Sequence, residues 1–260
     1  ALLKVLDYKP KDGTNNVYEK QYSNCNYALT VDFNNKKIDY GTLIKIGNAT
    51  TSNFAKPENF IVLECVNRLL EKGYKPENIE LEKIYPSGRG HSGNLDILIY
   101  DNDKKAYLMI ECKTWGNEFK KEHNKMIKDG GQLFTYYALD RDTKYLCLYT
   151  SGLNNGKIEY QNNIVPIETE WISLSTSKEI HTHWNKSFKD NGIFEPHANP
   201  YEIKHKALTY GMLTDLKEED SGKIFNQIME ILRHNVVSDK PNAFNKLLNL
   251  FVCKIIDEDR

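Results

Sequence analysis

The stretch Gly93-Asn94-Leu95-Asp96-Ile97-Leu98-Ile99-Tyr100, then Asp101-Asn102-Asp103-Lys104, then Leu108-Met109-Ile110-Glu111-Cys112-Lys113, decides the fold of this chain. Two apolar runs of strand length flank a turn-forming tetrad, which predicts a hairpin. A carboxylate opens the first strand and Glu-x-Lys closes the second. In an antiparallel hairpin the end of one strand lies beside the start of the other. Asp96 and Glu111 are therefore expected together at one edge of a sheet. Side chains alternate along a strand, so Glu111 and Lys113 share a face while Cys112 points away.

Two carboxylates and an amine gathered in this way suit Mg²⁺, with Mn²⁺ as a plausible substitute, because a hard cation prefers oxygen ligands and keeps several waters. Such an ion would neutralise charge developing on a phosphodiester and lower the pKa of a bound water. Lys113 would orient that water or help deprotonate it, and would stabilise the transition state. Phosphodiester hydrolysis is the reaction these parts would serve.

Outward from the hairpin, the pattern alternates helix and strand. Pro57 to Lys72 is expected to be helical, with Val62, Leu63, Val66, Leu69 and Leu70 at helical spacing and Gly73 as the stop. A strand is expected at Ile79 to Tyr85. Lys120 to Leu139 is expected to be helical with a break at Gly130-Gly131, and Tyr145 to Tyr149 reads as a buried strand. The fold class is thus α/β, a mixed sheet flanked by helices. Residues 1 to about 55 are polar, with alternation at Tyr27 to Phe33 that predicts a few exposed strands. The expected organisation is a domain over 1–175 (core about 57–150), then a connector and small α-helical segment over 176–260. In that segment apolar stripes run through Ile224 to Leu232 and Phe244 to Ile255.

The 260 residues are 40% apolar and 27% charged with a formal charge of −1, ordinary for a globular chain. A protein that holds nucleic acid by bulk charge would be strongly basic, so any DNA contact must come from local lysine clusters or be supplemented by parts outside this chain. Five cysteines without a CxxC pair argue for reduced thiols and a cytoplasmic setting rather than zinc or disulfides. No apolar run approaches the roughly 20 residues of a membrane span. A start without Met and an end inside an apolar helical stripe read as a fragment of a longer chain.

From about Pro57 to Thr150 the residues resemble the PD-(D/E)xK nuclease superfamily, specifically the N-terminal nuclease of Type I restriction subunits and related fused restriction–modification enzymes. The resemblance rests on Leu70-Glu71-Lys72-Gly73-Tyr74, the Asp96 strand, Ile110-Glu111-Cys112-Lys113 and Gln132-x-x-x-Tyr136. It departs from the superfamily name in having Asn94-Leu95, not Pro, before Asp96. The resemblance implies a restriction-endonuclease-like fold, metal held by Asp96, Glu111 and the Cys112 carbonyl, catalysis by Lys113, and Gln132 and Tyr136 lining the site near DNA. The implied partners are double-stranded DNA and the methyltransferase and recognition parts of one system. A second, shorter likeness, Ala243 to Phe251 with Asp257-Glu258, is similar to the helical domain that precedes N6-adenine methyltransferases. Neither a phosphate-binding loop nor a methyltransferase tetrapeptide occurs, so ATP and S-adenosylmethionine would act only through other regions.

Other residues carry two readings each. Glu64 is a further acid for the metal, or a surface partner of Arg68 at i, i+4. Arg89 and His91 lie in a glycine-rich loop that approaches a phosphate backbone or is simply an exposed turn. Lys120, Lys121, Lys125 and Lys128 form a basic strip for DNA or a solvated helix face. His181-x-His183 lacks a third ligand nearby, and Trp115 is expected to pack. Against the nuclease stands an alternative from another class: a catalytically silent nuclease-like DNA-binding or assembly module. A stand-alone repair nuclease is a third reading, disfavoured by the C-terminal helices.

Overall fold

The computed structural model describes residues 1–87, 91–186 and 188–190, all within the first of two compact units, Ala1–Lys204. The helices expected at Ile224 to Leu232 and Phe244 to Ile255 lie outside the described residues, as does Arg89.

The chain opens with a short helix α1 (Leu2–Val5) and strands β1 (Lys9–Pro10), β2 (Val17–Tyr22), β3 (Tyr27–Asp32), β4 (Lys37–Asp39) and β5 (Lys45–Ile46). Helix α2 (Glu58–Glu71) follows, then β6 (Ile79–Ser87), β7 (His91–Tyr100) and β8 (Ala106–Cys112). Helices α3 (Asn117–Asp129) and α4 (Gly131–Leu139) precede β9 (Tyr145–Asn154), β10 (Lys157–Pro166), α5 (Ser177–His183) and β11 (Lys189–Asp190). β1 to β4 make an antiparallel sheet, and the remaining strands make a mixed sheet in the order β11-β10-β9-β8-β7-β6-β5. The chain thus has the restriction-endonuclease-like α/β architecture, with helices flanking the larger sheet.

β8 is central, and every one of its seven residues is buried. Its alternate side chains feed two apolar cores. Leu108, Ile110 and Cys112 join α2 on one face, while Met109 joins α3, α4 and α5 on the other. A strand covered on both faces must be apolar throughout, which is why 108–110 reads as a continuous apolar run. On α2, Val62, Leu63, Val66, Leu69 and Leu70 are fully buried, each contributing about 1.5–3 kcal/mol relative to exposure. The helix stops where expected: the Tyr74 N–H donates to the Leu69 carbonyl at 3.0 Å, with Gly73 at φ +95°.

The hairpin forms with β7 antiparallel to β8. Its turn is tied by Asp101, whose Oδ1 accepts the N–H groups of Asp103 and Lys105, both at 2.9 Å.

Two expectations need correction. The N-terminal strands are not merely exposed: Leu29, Val31, Ile38 and Tyr40 are buried in the α2 core. The Lys20 ammonium donates to Asn67 at 2.7 Å and pairs with Glu71 at 2.5 Å, anchoring this sheet to α2. β9 also runs well beyond Tyr149 and turns back as β10 through Asn155 and Gly156, both at positive φ. The Asn-Gly pair is the sequence signal for that two-residue turn. Ile180 and Trp184 join Phe134 and Trp171 in the second core.

Candidate active site

Three neighbouring strands and the start of α2 converge on a cleft of about 330 Å³, lined by Glu58, Asn59, Glu82, Asp96, Glu111, Lys113, Gln132 and Tyr136 among others. Ile97 pairs with Ile110. The antiparallel register then sets Asp96 beside Glu111, as the hairpin predicted. Asp96 Oδ2 accepts the Cys112 N–H at 2.7 Å. Lys113 Nζ lies 2.5 Å from Glu111 Oε1 and 3.5 Å from Glu58 Oε1. The Lys113 main chain is fixed by its N–H, which donates to the Tyr149 carbonyl at 2.9 Å.

The electrostatics of this group are unusual. Asp96 and Glu111 are 8% and 2% exposed. Burial pushes the Glu111 carboxyl up to about 7 against the pull of Lys113. Burial, with Glu111 as the next cause, raises Asp96 well above the ordinary carboxylate range. For Lys113, burial works against the charge, but Glu111, Asp96 and Glu58 outweigh it and hold the ammonium protonated above its usual range. Lys113 in this arrangement is therefore a donor and a fixed positive charge.

The donor set fits a divalent cation. Glu111 Oε2 is buried without a hydrogen-bond partner, and such orphaned acceptors are rare in folded interiors. Two acids whose charge is disfavoured by burial gain most from a counter-ion. Among the described residues no three His, Cys, Asp or Glu side chains could cage an ion by themselves. A cation here would thus take the two carboxylates and keep waters, the habit of Mg²⁺.

Gln132 and Tyr136, four apart on α4, both reach the cleft. The Tyr136 hydroxyl donates to the Asn94 carbonyl at 2.9 Å, and Gln132 Nε2 donates to the same hydroxyl at 3.4 Å. The Tyr136 ring lies so close to Gly93 that a Cβ there would stand 2.7 Å from it, so only glycine fits that strand position. Tyr85 stacks on the other side of Tyr136, ring centroids 5.5 Å apart.

Several expected residues are elsewhere. Glu64 is buried away from the cleft and accepts the Tyr149 hydroxyl at 2.6 Å. The Arg68 charge does act on Glu64, as expected, but from an interior rather than a surface position, and its guanidinium stacks 4.0 Å above the Tyr160 ring. Glu58, one and a half turns earlier, is the helix acid of the cleft. Lys120 lines a different cavity with Phe119 and His123, and exposed Lys121 pairs with Glu118 at 2.7 Å. His91 falls in β7. His181 packs its ring on Phe134 and Trp184, and Trp115 is 41% exposed with its ring against Gly152.

Glu58 and Glu82 are the acids that sequence reasoning passed over. By strict alternation Glu80 and Glu82 would share a face of β6, but Glu80 and Lys83 both meet the Tyr100 hydroxyl, so the alternation breaks at Glu82. The alternation was legible, but its break and the pairing of β6 with β7 that brings Glu82 to Asp96 were not. Glu82 also takes φ +51°, a left-handed conformation that costs a non-glycine residue on the order of 1 kcal/mol or more.

Among the described residues no helix is long and apolar enough to cross a membrane. A comparison with curated proteins found no match. The family model described as Type I restriction enzyme R protein N terminus matches residues 57–155, which run from the start of α2 through β9 and include Asp96, Glu111, Lys113, Gln132 and Tyr136. The stretch that carries the cleft is thus similar to the N terminus of the Type I restriction enzyme R protein.

Proposed function

We propose that this domain is a divalent-cation-dependent endonuclease that hydrolyses DNA phosphodiesters within a restriction–modification system. One observation carries the reading: Glu111 Oε2 stands unpartnered and buried beside Asp96, with the Lys113 ammonium fixed on the other Glu111 oxygen. The ion pair with Lys113 leaves this second oxygen idle, whereas a bound cation would engage it.

In this reading Asp96, Glu111 and the Cys112 carbonyl hold Mg²⁺, or Mn²⁺ in its place. When bound, the ion supplies Lewis acidity and a water of lowered pKa. Asp96 is aimed by the Cys112 N–H bond. Lys113, already protonated, offsets negative charge growing on the scissile phosphate without having to move. Gln132 and Tyr136 present an amide and a hydroxyl to the DNA backbone on the far side of the cleft. Arg89, His91, Lys120 and Lys121 remain candidates for DNA contacts. Double-stranded DNA is the substrate. Methyltransferase and recognition parts of the same system are the proposed partners, and any use of ATP or S-adenosylmethionine belongs to them.

The test is plasmid cleavage in Mg²⁺ by the protein carrying its recognition and methyltransferase parts, beside Asp96→Ala and Lys113→Ala. Cutting by the parent and loss in both variants is the expected result. Cutting that persists in both removes the assignment. Metal-dependent DNA binding without cutting by the parent would indicate the silent binding module instead.

A further inference from the structure

We infer that Glu82 is a positioning residue for the cation of the cleft, reaching it through cation-bound water. The inference rests on the nuclease reading above and adds to it a residue from a third strand. In β6, Leu81 pairs with Ile97 and Lys83 with Leu95, and Glu82 lies unpaired between them at the level of Asp96. Asp96 in turn lies beside Glu111, so three acids cross three strands in a row at one level of the sheet. Glu82 is 7% exposed and lines the same cavity.

Its neighbouring lysines are engaged elsewhere. Lys45 pairs with Glu80 at 2.8 Å, Lys83 with Asp140 at 3.1 Å, and Lys113 with Glu111 and Glu58. Among the described residues the Glu82 carboxylate has no hydrogen-bond or ion-pair partner. Its oxygens are thus open to a cation's waters within the cavity.

The backbone holds Glu82 there against its preference. The Gly47 N–H donates to the Leu81 carbonyl at 2.8 Å, and a Cβ on Gly47 would stand 2.3 Å from the Glu82 carbonyl oxygen. The short β5 thus braces β6 at the point where Glu82 takes φ +51°. A strand braced so closely in a conformation glycine would suit better, yet carrying an acid, points to a use for the carboxylate. Because no three acids of the described residues could cage an ion directly, the contact runs through water, which Mg²⁺ retains readily.

The experiment measures Mn²⁺ affinity of the 260-residue chain without DNA, by titration calorimetry, beside the thermal midpoint of the metal-free protein. The set is the parent, Asp96→Asn, Glu82→Gln, Glu82→Gly and Glu82→Asp. Loss of a group that acts through a cation's surroundings weakens metal binding by roughly 10-fold or more. That loss is expected in Glu82→Gln and Glu82→Gly, with recovery in Glu82→Asp. Glu82→Gly should also raise the metal-free midpoint, since φ +51° suits glycine. Mn²⁺ affinity equal to the parent in both the Gln and Gly variants, with binding lost in Asp96→Asn, would overturn the role of Glu82 and leave the nuclease reading standing. Absence of Mn²⁺ binding by the parent would overturn both.

Discussion

Two buried acidic centres in this domain differ in one respect that separates structure from chemistry. In the interior, Glu64 of α2 accepts the Tyr149 hydroxyl at 2.6 Å, and burial raises its carboxyl above the ordinary range. At the end of the sheet, burial raises Asp96 and Glu111 as well. The interior acid has a partner and does not line the cleft. The cleft acids share one ammonium among them, and one Glu111 oxygen has no partner at all. A perturbed carboxyl is therefore not a sufficient mark of a site. An idle acceptor facing a cavity, beside a fixed cation, is the stronger one.

The comparison can be broken most directly through activity. Asp96→Ala and Lys113→Ala should each lower DNA cleavage by about 10²–10³-fold or more, the range for removing one preorganised charge or donor. Glu64→Gln should leave cleavage within a few-fold of the parent, as judged by initial rates at saturating Mg²⁺. Equal losses in all three would mean that both centres serve the reaction.

A second prediction concerns Tyr149→Phe, which removes the hydroxyl from a buried carboxylate. Glu64 keeps its bond from Ser151, so losing this one donor should cost about 0.5–1.5 kcal/mol, read by chemical denaturation. Mn²⁺ affinity should not change, and a parallel loss of metal binding would join the two centres.

The third is that Asp96→Asn stabilises the metal-free protein. The Cys112 N–H keeps an acceptor, while the disfavoured charge is gone. A gain of about 1 kcal/mol, or roughly 2–4 °C in Tm for a domain of this size, is expected. Added Mn²⁺ should raise the Tm of the parent and not of the variant.

The smallest effect is a pH dependence at Glu64. Its folded-state carboxyl lies above its ordinary value of 4.5. The stabilising difference is thus fully present below that value, where both states are protonated, and is lost as pH rises through the folded value. Glu64→Gln should match the parent in Tm near pH 4 and exceed it near pH 7. A constant difference across that range would contradict the burial argument.

The sequence by itself determined the local elements and the principal trio. The α2 stripe, the turn at Asp101 to Lys104 and the period-2 spacing of Glu111 and Lys113 are set by neighbours a few residues apart, and such patterns survive in a linear string. Pairing of β7 with β8 is also nearly local, so Asp96 could be placed beside Glu111 without coordinates. Tertiary structure decided the rest. Which helix acid reaches the cleft depends on how α2 lies across the sheet, and that orientation brought Glu58 to Lys113 and buried Glu64 against Tyr149. Glu82 entered through the register of β6 on β7 and the brace from Gly47, contacts between segments far apart in sequence. Those contacts are fixed by burial and backbone pairing over the whole domain, which no window of residues contains.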